Sequence, residues 1–337
     1  MAENSTIPKI EVYPGQLIER ILTLELVRVT ERAAVSAARM RGKGDEKGAD
    51  QAAVDAMRRE LNRLQIDGTV VIGEGERDKA PMLYIGERVG IGGAQVDIAV
   101  DPLEGTSLCA KDMPGSLAVM AMAEHGTLLA SPDVYMQKIA IGPGYPDGIV
   151  DLDREPEENV QRLAQAKGVP VHDITILVLD RPRHEVMIER LRNLGAHVRL
   201  IPDGDIAGII FTTQPWKTGV DIYMGIGAAP EGVLAAGVLR CIGGQMQARL
   251  ILDTEDSLKR AYEMGVTDPN KKYDLKELAK GDVIVAATGV TDGPLLTGVV
   301  FRKDQVIETD TIVYRSATGT VRHIKAEHRE IAKFFLD

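Results

Sequence analysis

The chain is short of cysteine and of aromatic residues: two cysteines and 4% Phe, Trp and Tyr in 337 residues. Cys109 and Cys241 make neither a disulfide framework nor a zinc-ligand cluster. Cys109 follows Thr106 closely, which leaves a redox influence open, but a buried structural thiol is the simpler reading of both. No apolar run approaches the length of a membrane span. The opening MAENSTIPKIEVYPG lacks the basic region and apolar core of a secretory signal, so a cytoplasmic protein without membrane contact is expected. Basic excess is missing too: 40 Lys and Arg stand against 50 Asp and Glu, a net charge of −10. That balance argues against nucleic acid as a partner, while local cations or metals can still build a pocket for a small anion. The six histidines show no metal-ligand spacing, and there is no Gly-x-Ser-x-Gly elbow or Walker lysine.

What is present is enough apolar residue, 44%, to build two domains or one large one. Residues 16–41 have helical spacing at Leu17, Ile21, Leu24, Val27, Ala34 and Ala38, with Gly42 beyond the end. A second helix follows a charged loop, its apolar face Val54, Met57, Leu61 and Leu64, and Asp50 stands near its start as a cap. Strands are expected at 69–73, 95–101, 116–123 and 134–141. From about 155 helices and strands alternate: helices at 156–167, 183–194, 204–211 and 230–241, strands at 174–179, 196–201 and 220–225. The tail from 245 mixes strands at 246–252, 282–287 and 310–315 with short helices. The change of style near 150 divides the chain into an N-terminal α+β part, 1–153, and a C-terminal α/β part, 154–337.

The most informative stretch is VDIAVDPLEGT at 96–106, an apolar run ending in Asp101, with Pro102 expected to stop the strand and Glu104 next. Two carboxylates at the mouth of a buried strand are costly unless something cationic neutralises them. A hard divalent ion such as Mg²⁺ or Mn²⁺ suits oxygen ligands. VVIGEGE at 70–76 and GIGAAPEG at 225–232 repeat the pattern with Glu74 and Glu231. Neither glycine turn fits a dinucleotide fingerprint, and their glutamates would repel a phosphate unless a cation lay between. Singly, each Glu reads as a solvated turn residue. Together they converge if the fold brings three strand ends to one place.

Arg181, Pro182, Arg183 and His184 follow the apolar strand ITILVLD. Arginine forks match phosphate oxygens, and arginine at the positive end of a helix calls for an anion. Asp203 and Asp205, in IPDGD, read equally as helix caps and as acceptors for sugar hydroxyls. Tyr135 and Lys138 are weaker candidates for a sugar and a phosphate contact. Thr106 either caps the next segment or positions an attacking water.

Asp101-Pro102-Leu103-Glu104-Gly105-Thr106 resembles the signature of the lithium-sensitive, metal-dependent sugar phosphatase superfamily. GDEKGADQAAVDAMR at 44–58, IDGTVVIGEGERDKAPMLYIGE at 66–87, DRPRH at 180–184, IPDGDIAG at 201–208 and GIGAAPEGV at 225–233 are similar to class II fructose-1,6-bisphosphatase, a likeness running from about 17 to 325. The resemblance implies a layered α/β/α/β/α sandwich in two domains and a dimer or tetramer. It implies hydrolysis of the 1-phosphate of fructose 1,6-bisphosphate, with a role in gluconeogenesis and glycerol metabolism. It also implies Mn²⁺ or Mg²⁺ on Asp50, Glu74, Asp101, Glu104 and Glu231, so that Asp50 becomes a ligand rather than a cap. Catalysis falls to Glu74, Asp101 and Thr106. Substrate contacts fall to Glu104, Gly105, Thr106, Tyr135, Lys138, Arg181, Pro182, Arg183, Asp203, Gly204, Asp205 and Ala228. Sedoheptulose 1,7-bisphosphate or inositol monophosphate are the alternative substrates. A dinucleotide-binding module and a catalytically silent sugar-phosphate regulator are the competitors from other classes.

Overall fold

The computed structural model describes residues 14–73 and 82–334, with side chains from residue 22 onward. Over the described residues the chain is a mixed α/β protein with two sheets. It opens with α1 (Pro14–Ala38), α2 (Glu46–Leu61), β1 (Ile66–Ile72), β2 (Arg88–Val89), β3 (Ala94–Glu104), α3 (Thr106–Ala110), β4 (Leu117–Glu124) and β5 (Tyr135–Ile141). The alternating part is α4 (Pro156–Lys167), β6 (Thr175–Leu179), α5 (Glu185–Asn193), β7 (His197–Ile201), α6 (Asp205–Phe211), α7 (Pro215–Thr218), β8 (Ile222–Ala228) and α8 (Ala229–Ile242). The tail is β9 (Gln245–Leu250), α9 (Glu255–Glu263), β10 (Tyr273–Asp274), α10 (Leu275–Leu278), β11 (Val283–Gly289), β12 (Val300–Phe301), β13 (Ile307–Arg315) and β14 (Thr320–His328).

One sheet has the order β12-β13-β11-β4-β3-β1-β2, with β14 paired to β13, and the other β10-β9-β5-β8-β6-β7. β1 runs parallel to β3, and β6 parallel to β7 and β8. Alternate residues of the central strands point to opposite faces, and both faces are buried. On β4, Ala118, Met120 and Met122 share a core with α1, while Leu117, Val119 and Ala121 meet α8. On β5, Met136 and Ala140 share that second core, while Ile139 and Ile141 face Val160 of α4 and Leu191 of α5. α8 touches both sheets and is buried at ten of its positions, which is why its sequence is apolar all round.

Three expectations need correction. Pro102 does not stop β3: the strand reaches Glu104 through a register shift against β4 between Asp101 and Glu104. A bulge tolerates proline because the ladder there asks for no donor. Asp50 is not a cap. Asp45 accepts the Gly48 N–H at 2.9 Å and starts α2, which puts Asp50 a turn inside the helix. On α1, Leu22, Leu26, Val27 and Val29 are buried but Leu24 is 55% exposed. Leu17 and Ile21 lie outside the residues whose side chains are described. β14 went unforeseen because TVRHIKAEH is charged and largely exposed, as suits a strand paired on one side only.

Candidate functional site

The bulge at the end of β3 does more than pass a proline. It turns the strand so that Asp101 and Glu104, three residues apart, reach one place. There their carboxylates meet that of Glu231, with oxygens of all three within 4.8 Å of one another. Glu231 arrives from the first turn of α8, immediately after β8. Glu104 is 2% exposed, and its Oε1 accepts the Ile206 N–H at 2.8 Å, in the first turn of α6. Burial pushes the Glu104 carboxyl well above the carboxylate range, and the charges of Asp101 and Asp205 push it further. Glu231 is raised likewise, by burial first and then by Asp205, which is also within hydrogen-bonding reach. Three converging carboxylates, two of them with raised values, are short of positive charge. The donor set is all oxygen, which fits a hard divalent cation.

Around this cluster the first turns of two helices are held together. Gly105 (φ 72°) and Gly204 (φ 88°) adopt the left-handed turn that opens α3 and α6. Asp203 accepts the Ser107 hydroxyl at 2.7 Å, tying one turn to the other. Asp205 is fully buried, with Lys138 Nζ as its ion-pair partner and the Tyr223 hydroxyl donating at 3.3 Å. Burial opposes its ionisation, but Lys138 and hydrogen bonds from Glu231 and Tyr223 outweigh that and hold Asp205 below the usual range. Lys138 also donates to the Ala228 carbonyl at 2.8 Å. Gly227 permits this: a Cβ there would lie 1.8 Å from Asp205 Oδ2.

The arginine segment reaches the same end of β8. Arg183 donates to the Ile226 carbonyl at 2.6 and 3.0 Å, and its guanidinium lies 4.7 Å from the centre of the exposed Tyr135 ring. His184 is buried with lowered basicity, chiefly through burial. Its Nε2 accepts the Ile226 N–H at 2.8 Å, so Nδ1 carries the proton given to the Leu179 carbonyl at 2.7 Å. Pro182 to His184 form a short 3₁₀ turn ahead of α5. Arg181 and Arg183 thus precede the helix, and both already have carbonyl partners. Their position therefore does not by itself call for an anion at the helix start, although Arg183 stays exposed and able to meet one.

Of the sequence-based metal candidates, Asp101, Glu104 and Glu231 come together. Asp50 is outside that 4.8 Å group; burial raises its carboxyl to about 6. Glu74 lies outside the described residues. Thr106, half-buried, is the first residue of α3. Ala228, whose carbonyl is engaged, caps α8. Two expectations of direct substrate contact are corrected. The side chains of Lys138 and Asp205 have no exposed surface and neutralise one another, so neither reaches a phosphate or a sugar hydroxyl. Sequence reading missed Ser107, His184 as a brace for β8, and Tyr223. The signals were slight: a serine after Thr106, and a tyrosine within a buried strand that needs a hydroxyl partner.

Oxygen ligands gathered for a hard cation, with an arginine at the same strand end, place the chain in the class of proteins that handle phosphate groups through a divalent metal. Over residues 20–328 the chain matches the family described as bacterial fructose-1,6-bisphosphatase, glpX-encoded. It is 46% identical over 333 residues, 91% of this chain and 95% of the relative, to the D-fructose 1,6-bisphosphatase class 2/sedoheptulose 1,7-bisphosphatase of Synechococcus sp. (strain JA-3-3Ab). It is 43% identical over 337 residues, 92% and 97% of the two chains, to the protein of the same name from Synechococcus elongatus. The chain belongs to this bacterial fructose-1,6-bisphosphatase family. A solved structure of the extragenic suppressor protein suhB from Bartonella henselae aligns at 15% identity and a TM-score of 0.35, covering 57% of this chain and 74% of that one, too low a likeness to bear on the fold.

Proposed function

We propose that the protein hydrolyses the 1-phosphate of fructose 1,6-bisphosphate to fructose 6-phosphate and inorganic phosphate. The observation that carries the site assignment is the convergence of Asp101, Glu104 and Glu231 in a family of this activity. These three would hold Mn²⁺ or Mg²⁺, with Asp50 and Glu74 completing the set. The cation supplies positive charge for phosphoryl oxygens and lowers the pKa of an attacking water. Glu74 and Thr106 orient that water, Asp101 taking part. The backbone and side chains of Glu104 to Thr106 border the reacting phosphate.

At the other end of the substrate, Arg181, Pro182 and Arg183 hold the 6-phosphate, with Tyr135 alongside. Arg183 is exposed, and its remaining donors suit a phosphate fork. Asp203 and Gly204 border the sugar, and Ala228 contributes its backbone. Binding energy from this distal phosphate fixes the reacting end in place. The reading includes the layered α/β/α/β/α arrangement with a division at 153/154, a dimer or tetramer, and a cytoplasmic place in gluconeogenesis. No described helix is long and apolar enough to cross a membrane.

Because the named relatives carry both activities, the test is a panel: fructose 1,6-bisphosphate, sedoheptulose 1,7-bisphosphate and inositol monophosphate, each with Mn²⁺, Mg²⁺ and EDTA. Phosphate release from the first sugar that EDTA abolishes supports the reading. No release with either metal, or preference for inositol monophosphate, contradicts it.

A further inference from the structure

Lys138 invites assignment to a phosphate, yet its side chain has no surface to offer one. We propose instead that Lys138 is a positioning residue, a buried clamp between α6 and α8 that sets the places of Glu104 and Glu231. It rests on the reading of those two glutamates as cation ligands.

The ammonium touches one group at each of two helix starts. On α6 it pairs with Asp205, the first helical residue, and the next residue donates its N–H to Glu104 at 2.8 Å. At α8 it donates to the carbonyl of Ala228, the capping residue, and Glu231 lies three residues further on in the first turn. Lys138 itself sits mid-strand on β5, opposite Gly225 of β8, so its base is fixed by two flanking strands. A shift of either helix start relative to β5 would move one glutamate and leave the other.

The surroundings are shaped for this side chain. A Cβ at Gly227 would stand 1.8 Å from Asp205 Oδ2 and 3.0 Å from Lys138 Nζ. A Cβ at Gly232 would stand 3.1 Å from Lys138 Cδ and 2.6 Å from Met136 Sδ. Two glycines, one on each side of Glu231 in sequence, thus keep open the space that the lysine stem and its carboxylate partner fill. Burying an ammonium is costly, and an apolar residue of similar volume would pack there without that cost. The clamp gives the charge a purpose: it fixes Asp205, whose neighbour Ile206 holds Glu104, and Ala228, three residues before Glu231, much as groups behind metal ligands orient them.

The test compares full-length wild type with Lys138→Met, and with Lys138→Met/Asp205→Asn, which removes both charges and so leaves no buried charge without its partner. Mn²⁺ binding to the metal-free proteins is measured by titration calorimetry without substrate. Turnover is measured on fructose 1,6-bisphosphate and fructose 1-phosphate. Both variants should lose about 10- to 100-fold in Mn²⁺ affinity and in kcat, by the same factor on both sugars, with KM nearly unchanged. Wild-type Mn²⁺ affinity in both variants, or in the double variant alone if the single one does not fold, overturns the clamp. A KM increase confined to the bisphosphate also overturns it, since that marks a phosphate ligand. If wild type itself neither binds Mn²⁺ nor releases phosphate, the functional reading and the clamp fall together.

Discussion

Replacing Glu104 by glutamine should stabilise the metal-free protein while abolishing its response to metal. At 4.8 Å and an effective dielectric of about 20, two unit charges repel by about 3.5 kcal/mol. Full ionisation of Asp101, Glu104 and Glu231 therefore costs on the order of 10 kcal/mol, comparable with the whole stability of a domain. Holding one glutamate protonated at about pH 8, against an ordinary value of 4.5, costs about 5 kcal/mol. That is less than the two repulsions it removes, so the metal-free site keeps a proton. Glutamine imitates that protonated state permanently, and its carbonyl can still accept the Ile206 N–H. The gain at about pH 8 is then up to about 5 kcal/mol, the cost of the proton no longer needed. With an unfolding entropy of about 0.7 kcal/mol per kelvin for a chain of this length, the melting temperature of the metal-free variant rises by up to about 7 °C. Scanning calorimetry in EDTA and in Mn²⁺ gives both numbers. A metal-free Glu104→Gln protein less stable than metal-free wild type, or one whose melting still rises with Mn²⁺ as wild type does, refutes the reasoning.

The same carboxyls fix a pH dependence. Glu104 and Glu231 are raised in the fold, and Asp50 reaches about 6 from an ordinary 3.8. The folded protein thus binds more protons than the unfolded chain at these groups, and their contribution to stability is lost as pH rises through the folded values. Melting of the EDTA-treated protein should fall between about pH 5 and 8, while Mn²⁺ flattens the curve; a metal-free curve that rises over this window speaks against it. Gly227→Ala drives a methyl to 1.8 Å from Asp205 Oδ2, so turnover should drop by about 100-fold or more, and near-wild-type kinetics would contradict the close approach. Arg183→Ala should cost more on fructose 1,6-bisphosphate than on fructose 1-phosphate; equal losses would show that it does not hold the distal phosphate.

The main strands and helices were legible because their periodicities are strong. The buried strands β4 and β11 are continuous apolar runs, and α4 begins and ends at the expected residues. The bulge at Pro102 was not legible. Proline reads locally as a stop, whereas the partner strand β4 decides whether the ladder resumes. Asp50 read as the cap of α2, but helix geometry gave the Gly48 N–H to Asp45, five residues earlier.

At the site, residue type announced the acidic cluster and the arginine segment. Burial, which sequence shows poorly for charged residues, decided the rest. Lys138 and Asp205 look like surface ligands in a string of letters, and in the fold each is the other's counter-ion. The two cysteines turned out as the simpler reading had it, both buried. Burial raises the Cys109 thiol to about 11 and raises Cys241 as well, which keeps both thiols protonated.

Asp101, Glu104 and Glu231 are the three proposed holders of the divalent cation. Crystals of the protein grown with Mn²⁺ and measured at the manganese absorption edge test this directly. An anomalous peak bonded to oxygens of all three carboxylates at about 2.0–2.3 Å is expected. Manganese bound elsewhere, with these three carboxylates still facing one another unbridged, would contradict it.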